Sequence, residues 1–162
     1  MHRYKYNNRI YSIENCLDSD VAFHVDRLRP YWEYEIIPQQ TQRMKDAVYS
    51  GTAYKLVNDK NQHEAFGYYK HMTENEVEGI ALWFMNLHTF IIFAAWHRFH
   101  TPMQYIHIKP HEGWEKGQLP KLVEDRSVKE HYKTGSALYI DLFGAKIQPL
   151  QALWERMNVV EV

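Results

Sequence analysis

The chain has 162 residues, 19 Lys+Arg against 20 Asp+Glu, a formal net charge of −1, and 15% aromatic residues. Charge this close to balance argues against a general nucleic-acid coat or a polybasic membrane binder. The one cysteine, Cys16, excludes an intrachain disulfide framework and a thiolate-only metal site. Twelve Tyr, 5 Trp, 7 Phe and 10 His stand beside only 7 Gly and 6 Pro, the composition of a folded chain. Chains of about 150 residues bury about two-thirds of their surface, so the expectation is one domain over residues 1–162.

Residues 1–10 are polar and basic with no apolar stretch behind them, unlike a secretory signal. The longest apolar run, residues 90–96, is far shorter than the ~20 residues of a bilayer span. The expectation is a cytoplasmic protein with no membrane partner. A first strand is predicted over 9–13. Asp18 or Ser19 then offers an N-cap for a helix with apolar positions at Val21, Phe23, Val25 and Leu28. Pro30 ends it by disfavouring helical geometry in Arg29. Pro38 opens a second helix through Met44, Ala47 and Val48, and Gly51 stops it.

Three extended segments follow, at 53–57, 65–72 and 77–84, separated by Asn58-Asp59-Lys60-Asn61 and Thr73-Glu74-Asn75. The third is the most apolar, which suits an antiparallel meander whose last strand is central. Residues 87–100 leave little polar face before His97 and close at Thr101-Pro102, the pattern of a mostly buried helix. A strand at 105–108 precedes a long loop at 110–120 with Gly113 and Gly117. Ser127-Val128-Lys129-Glu130 is a capping box for a short helix that Gly135 ends. A strand at 137–142, a helix at 150–157 and a strand at 159–162 complete the chain. The crossovers at 77–108 and 105–142 require parallel or mixed pairing with helices over the sheet. The fold class is α/β (α+β), in three layers.

This order, together with Glu130-His131-Tyr132-Lys133-Thr134-Gly135, resembles the GNAT (N-acetyltransferase-like) superfamily over nearly the whole chain. The resemblance implies a mixed, mostly antiparallel central sheet flanked by helices and ending in a hairpin. It implies transfer of an acyl group from acetyl-CoA or another acyl-CoA to an amine, on a small molecule or a macromolecule. It makes Tyr132 the acid that protonates the leaving thiolate, and Glu78 or Glu76 the base that takes the amine proton. The donor would lie against Trp83, Phe84, Asn86, His88 and Thr89, and the acceptor against Tyr31, Trp32 and Glu35. The segment Phe84-Met85-Asn86-Leu87-His88-Thr89 carries no glycine, whereas the family's pyrophosphate loop is glycine-rich. A helix start there still presents backbone N–H groups and a dipole to a phosphate.

Other readings of the same residues stand beside these. Glu76 and Glu78 share a strand face by the period of two, and that face is equally consistent with solvent. His97 and His100 share a helix face, and His107 and His111 lie in the strand and loop beyond, beside Glu112. Their spacing matches no metal motif, so the expectation is polar surface and no metal. The basic residues are dispersed, and nothing indicates a nucleic-acid partner. The missing glycines carry an alternative function: a GNAT-shaped protein without acyl-CoA chemistry, acting as a phage-type nucleic-acid modifier or as a protein-binding or inhibitory module.

Overall fold

The computed structural model describes residues 2–29, 34–71, 77–84, 87–103, 105–108, 138–141 and 155–162. Strand β1 (His2–Tyr6) turns through Asn7 and Asn8 into β2 (Arg9–Asn15). The two asparagines have φ of 51° and 61°, the left-handed conformation that a two-residue hairpin needs and that asparagine tolerates. The sequence reading missed β1, although this Asn-Asn pair is its signal.

Helix α1 (Asp18–Leu28) is capped from within. The Leu17 N–H donates to Asp20 Oδ2 at 2.7 Å, so the helix starts one residue before the predicted Asp18 or Ser19 cap. Val21 and Val25 face the core, but Phe23 is 47% exposed. After a 3-10 turn at Tyr34–Ile36, α2 (Ile37–Tyr49) carries its proline in the first turn. It ends at Gly51, whose φ of 73° is strained for any residue with a Cβ. The Gly51 N–H donates to Val48 O and the Thr52 N–H to Ala47 O.

Strands β3 (Ala53–Val57), β4 (His63–His71) and β5 (Val77–Phe84) form the meander. The Asn58 side-chain oxygen accepts from the N–H groups of Lys60 and Gln62, which closes the first turn. Then come α3 (Leu87–His100), β6 (Tyr105–Ile108), β7 (Leu138–Asp141) and β8 (Val160–Glu161). The predicted helix at 127–135 and loop at 110–120 lie outside the described residues.

The eight strands make one sheet in the order β7-β6-β5-β4-β3-β2-β1-β8. Pairing is antiparallel throughout except between β5 and β6, which α3 connects as a parallel crossover. This is the predicted mixed, mostly antiparallel sheet with flanking helices. Two details differ from expectation. The 105–142 connection ends in an antiparallel pair, because β7 starts at the end of the sheet where β6 finishes. The last strand makes no hairpin with β7. It lies on the opposite edge beside β1, with Tyr4 opposite Glu161 and the Val162 N–H bonded to Arg3 O, and so covers β1's open backbone groups.

Alternation along the strands sorts the core into two halves. Tyr4, Tyr11, Ile13, Leu56 and Ala65 face α3, where they meet Phe90, Ile91, Phe93 and Trp96. Ala53, Phe66 and Tyr68 face α1 and α2, where they meet Val21, Val25, Met44 and Ala47. Full burial of side chains such as Phe90 and Phe93 contributes about 1.5–3 kcal/mol each. Residues 89–97 of α3 are all buried, as the absence of a polar face predicted. No helix among the described residues is long and apolar enough to cross a membrane.

Candidate active site

The sheet changes character where β5 meets α3. Phe66 of β4 stands opposite Trp83, but the next residue, Gly67, stands opposite Ala81. Leu82 is thus an extra residue on β5, a bulge that kinks a strand and increases its twist. Pairing with β6 runs from Glu78–Tyr105 to Ala81–Ile108, and among the described residues nothing pairs with β5 beyond Ala81 on that side. The bulge at Leu82 and the start of α3 at Leu87 therefore fall within six residues.

Trp83 and Phe84 are the last residues of β5, opposite Phe66 and Ala65. In the first turn of α3, the His88 ring packs on Tyr6 at 5.0 Å and against Tyr11 at 6.3 Å. Thr89 is fully buried. What this turn offers an anion is its backbone N–H groups and the positive end of the helix dipole. The segment 84–89 has no glycine, and without glycine a backbone does not easily approach a pyrophosphate closely.

The register also assembles a polar row. Glu78 stands opposite Lys70 on one side and Tyr105 on the other, and Tyr105 stands opposite Asp141. The next row is Tyr68, Ile80, His107 and Tyr139. Tyr68 packs in the core half under α2. Beside it a cleft of about 350 Å³ opens between the end of α2 and β4, lined by Arg43, Asp46, Ser50, Thr52, Tyr68 and Lys70. Glu78 lies four residues before the bulge, roughly 13 Å along the strand. Glu35 is exposed in the 3-10 turn ahead of α2. Tyr31, Trp32, Glu76, Asn86, His111, Glu112 and Tyr132 lie outside the described residues.

Of the four histidines, His97 and His100 have different surroundings, and His111 lies outside the described residues. His97 is fully buried, with Nδ1 at 3.3 Å from Thr101 Oγ1 and no partner for Nε2 among the described residues. Burial pushes its pKa down to about 3, so it is a neutral core residue. His107 sits in the β6 row. His100 instead meets His2 and Glu161, from the two ends of the chain.

A second polar cluster escaped the sequence reading. Lys55 Nζ donates to Asp20 Oδ2 at 2.8 Å, and both side chains are about nine-tenths buried. His63 Nε2 lies 3.7 Å from Asp20 Oδ1, and His63 Nδ1 lies 3.4 Å from His24 Nε2. Burial raises the Asp20 pKa, but the Leu17 N–H and Lys55 outweigh it and hold the carboxyl below its ordinary range. Burial, followed by the charge of His63, pushes His24 down to about 3. Burial and then Lys55 also lower His63. Burial raises the Cys16 thiol, which keeps it protonated and inert. The cluster ties α1 to the sheet. Its signal was Lys55, a lone cation in the apolar strand Ala-Tyr-Lys-Leu-Val.

No family model matches the chain, and no curated protein matches it in sequence. Among solved structures it is similar to a GNAT-family acetyltransferase from Listeria monocytogenes, at 8% identity and a TM-score of 0.46, over 85% of this chain and 97% of that one. It is similar also to a chimera of the spermidine N-acetyltransferase SpeG from Vibrio cholerae with hSSAT, at 8% identity and a TM-score of 0.46, over 82% of this chain and 95% of that one. The strand order observed here has the mixed, mostly antiparallel pairing, with α3 joining a parallel pair, that the element order implied.

Proposed function

We propose that this protein is an N-acyltransferase, moving an acyl group from a thioester donor, acetyl-CoA or another acyl-CoA, to an amine. The observation that carries the reading is the Leu82 bulge on β5, shortly before the α3 N-terminus. The extra residue of a bulge is left out of the ladder, and its backbone N–H is free to polarise a carbonyl. Trp83, Phe84, Asn86, His88 and Thr89 follow this bulge in the chain. The reading takes residues 1–162 as one domain.

In it, Glu78 accepts the amine proton through a chain of waters, since roughly 13 Å of strand separates it from the bulge, and Glu76 supports the same end of the strand. Tyr132 returns a proton to the leaving sulfur. The thioester carbon passes from sulfur to nitrogen, so one C–S bond breaks as one C–N bond forms. The cleft beside Lys70 and Arg43, with Tyr31, Trp32 and Glu35 in the segment leading into α2, receives the acceptor. The acceptor class is an amine on a small molecule or a macromolecule. Calorimetric titration with acetyl-CoA and with longer acyl-CoA thioesters tests the reading. Saturable binding with a rise in melting temperature supports it, and no heat at millimolar ligand ends it.

The lack of glycine in 84–89 and the inward packing of His88 and Thr89 favour a second reading: a GNAT-shaped protein without acyl-CoA chemistry. As a phage-type nucleic-acid modifier it would shift DNA in a mobility assay. As a protein-binding or inhibitory module it would bind neither DNA nor acyl-CoA.

A further inference from the structure

The geometry points to a transition-metal site formed by His2, His100 and Glu161, of the kind that takes Zn²⁺. The three residues come from three elements: the start of β1, the end of α3 and β8. Each offers one ligand atom, and the three atoms lie within 4.8 Å of one another. His2 Nδ1 is 3.4 Å and His100 Nε2 is 3.3 Å from the same oxygen, Glu161 Oε1. Charge-assisted hydrogen bonds between imidazolium and carboxylate close to about 2.7–2.9 Å. A tetrahedral ion with bonds of about 2.1 Å instead sets its ligands about 3.4 Å apart. The two distances to Glu161 Oε1 match edges of such a tetrahedron and are longer than charge-assisted hydrogen bonds.

The chemistry of the donors selects the ion. Two imidazoles and one carboxylate suit Zn²⁺ and its first-row neighbours, whereas Mg²⁺ and Ca²⁺ prefer oxygen alone. Three protein ligands leave a fourth position for water or a ligand, as in catalytic rather than structural zinc sites. The space for it is present. His2 and His100 line a cleft of about 590 Å³ at this end of the sheet, together with Tyr54, Lys55, Asn15 and Trp96.

The supports of the ligands are rigid. The β1–β8 register holds Glu161 opposite Tyr4, and His2, two residues before Tyr4, lies on the same strand face. The His2 and His100 rings lie 4.0 Å apart between centroids, tilted by 34°, and Trp96 packs against both, at 5.7 and 6.2 Å. Trp96 is 4% exposed, and its Nε1–H has no partner among the described residues, so the cleft wall keeps a donor that an oxygen ligand would satisfy. His100 is the last residue of α3, where the negative end of the helix dipole favours a cation. The site lies one α3 length, roughly 20 Å, from the helix start at the proposed thioester site, so it stands or falls independently of that reading.

Titration of the chelator-treated protein with Co²⁺, followed by visible absorption, tests the inference. The expected result is one equivalent bound, with the intense absorption of tetrahedral cobalt, and its loss on adding Zn²⁺. Glu161→Gln and His100→Ala each weaken binding by tenfold or more. Glu161→Gln changes an exposed side chain and keeps the test available should His100→Ala fail to fold. Absence of saturable binding at millimolar Co²⁺ overturns the site. So does binding of unchanged affinity in Glu161→Gln, which would place the ion on other histidines.

Discussion

Lys55 shows how one residue can commit a surface to the interior. Its ammonium leaves water only because Asp20 meets it at 2.8 Å, and Asp20 is held in turn by the Leu17 N–H that starts α1. Removing one partner of a buried pair costs about 3–5 kcal/mol, because the other charge is left without compensation. Lys55→Met is therefore expected to lower stability by that amount in urea denaturation, and Asp20→Asn in the same chain to restore a large part of it, since asparagine keeps the cap acceptor. A single variant as stable as the parent would show that the pair is not buried in solution. Lys55 was visible in the sequence as a misfit in an apolar strand, but its partner, 35 positions earlier, carried no mark that tied it there.

At the scale of elements, α1 and α3 each bury a histidine in neutral form. The His24 and His97 pKa values are pushed from 6.5 to about 3. Between those values the unfolded chain binds protons that the folded chain refuses. The stability is thus fully present above pH 6.5 and is lost as pH falls toward 3, at roughly 1.4 kcal/mol per pH unit for each histidine. The lowered Asp20 pKa adds a loss of the same sign at the acid end, as pH drops through its folded value. Melting temperature measured from pH 7.5 to 4.5 should fall steeply, and His97→Gln should make the slope shallower. A flat profile would contradict the burial of both rings. The element boundaries themselves were well marked. The segments 53–57, 77–84, 87–100 and 105–108 coincide with β3, β5, α3 and β6, because Pro, Gly and Asn turns and the apolar period act over a few residues. The β1–β2 hairpin carried an equally local signal in Asn7-Asn8, which the polar, basic composition of the N-terminal residues obscured.

At the scale of the whole molecule, the sheet brings distant residues into function. The proposed base stands in a row with Lys70, Tyr105 and Asp141, contributed by three other strands. Glu78→Gln is expected to reduce kcat by about 10²–10⁴-fold while leaving acyl-CoA affinity unchanged, and a higher assay pH should recover part of the rate as free amine accumulates. An unaltered kcat/KM would remove Glu78 from the reaction. The candidate metal site depends on tertiary structure even more, with ligands at positions 2, 100 and 161.

Neighbouring residues along the chain sufficed to specify where helices and strands lie, the parallel β5–α3–β6 step and the class of the sheet. These follow from turn chemistry, side-chain period and the geometry of a crossover. The direction of β7, the seat of β8 beside β1, the buried Asp20–Lys55–His63–His24 cluster and the convergence of His2, His100 and Glu161 were decided only by the folded molecule. Each depends on a contact between residues tens of positions apart, set by which backbone edges remain unpaired and which charges must find a partner on burial. No local pattern encodes such a pairing.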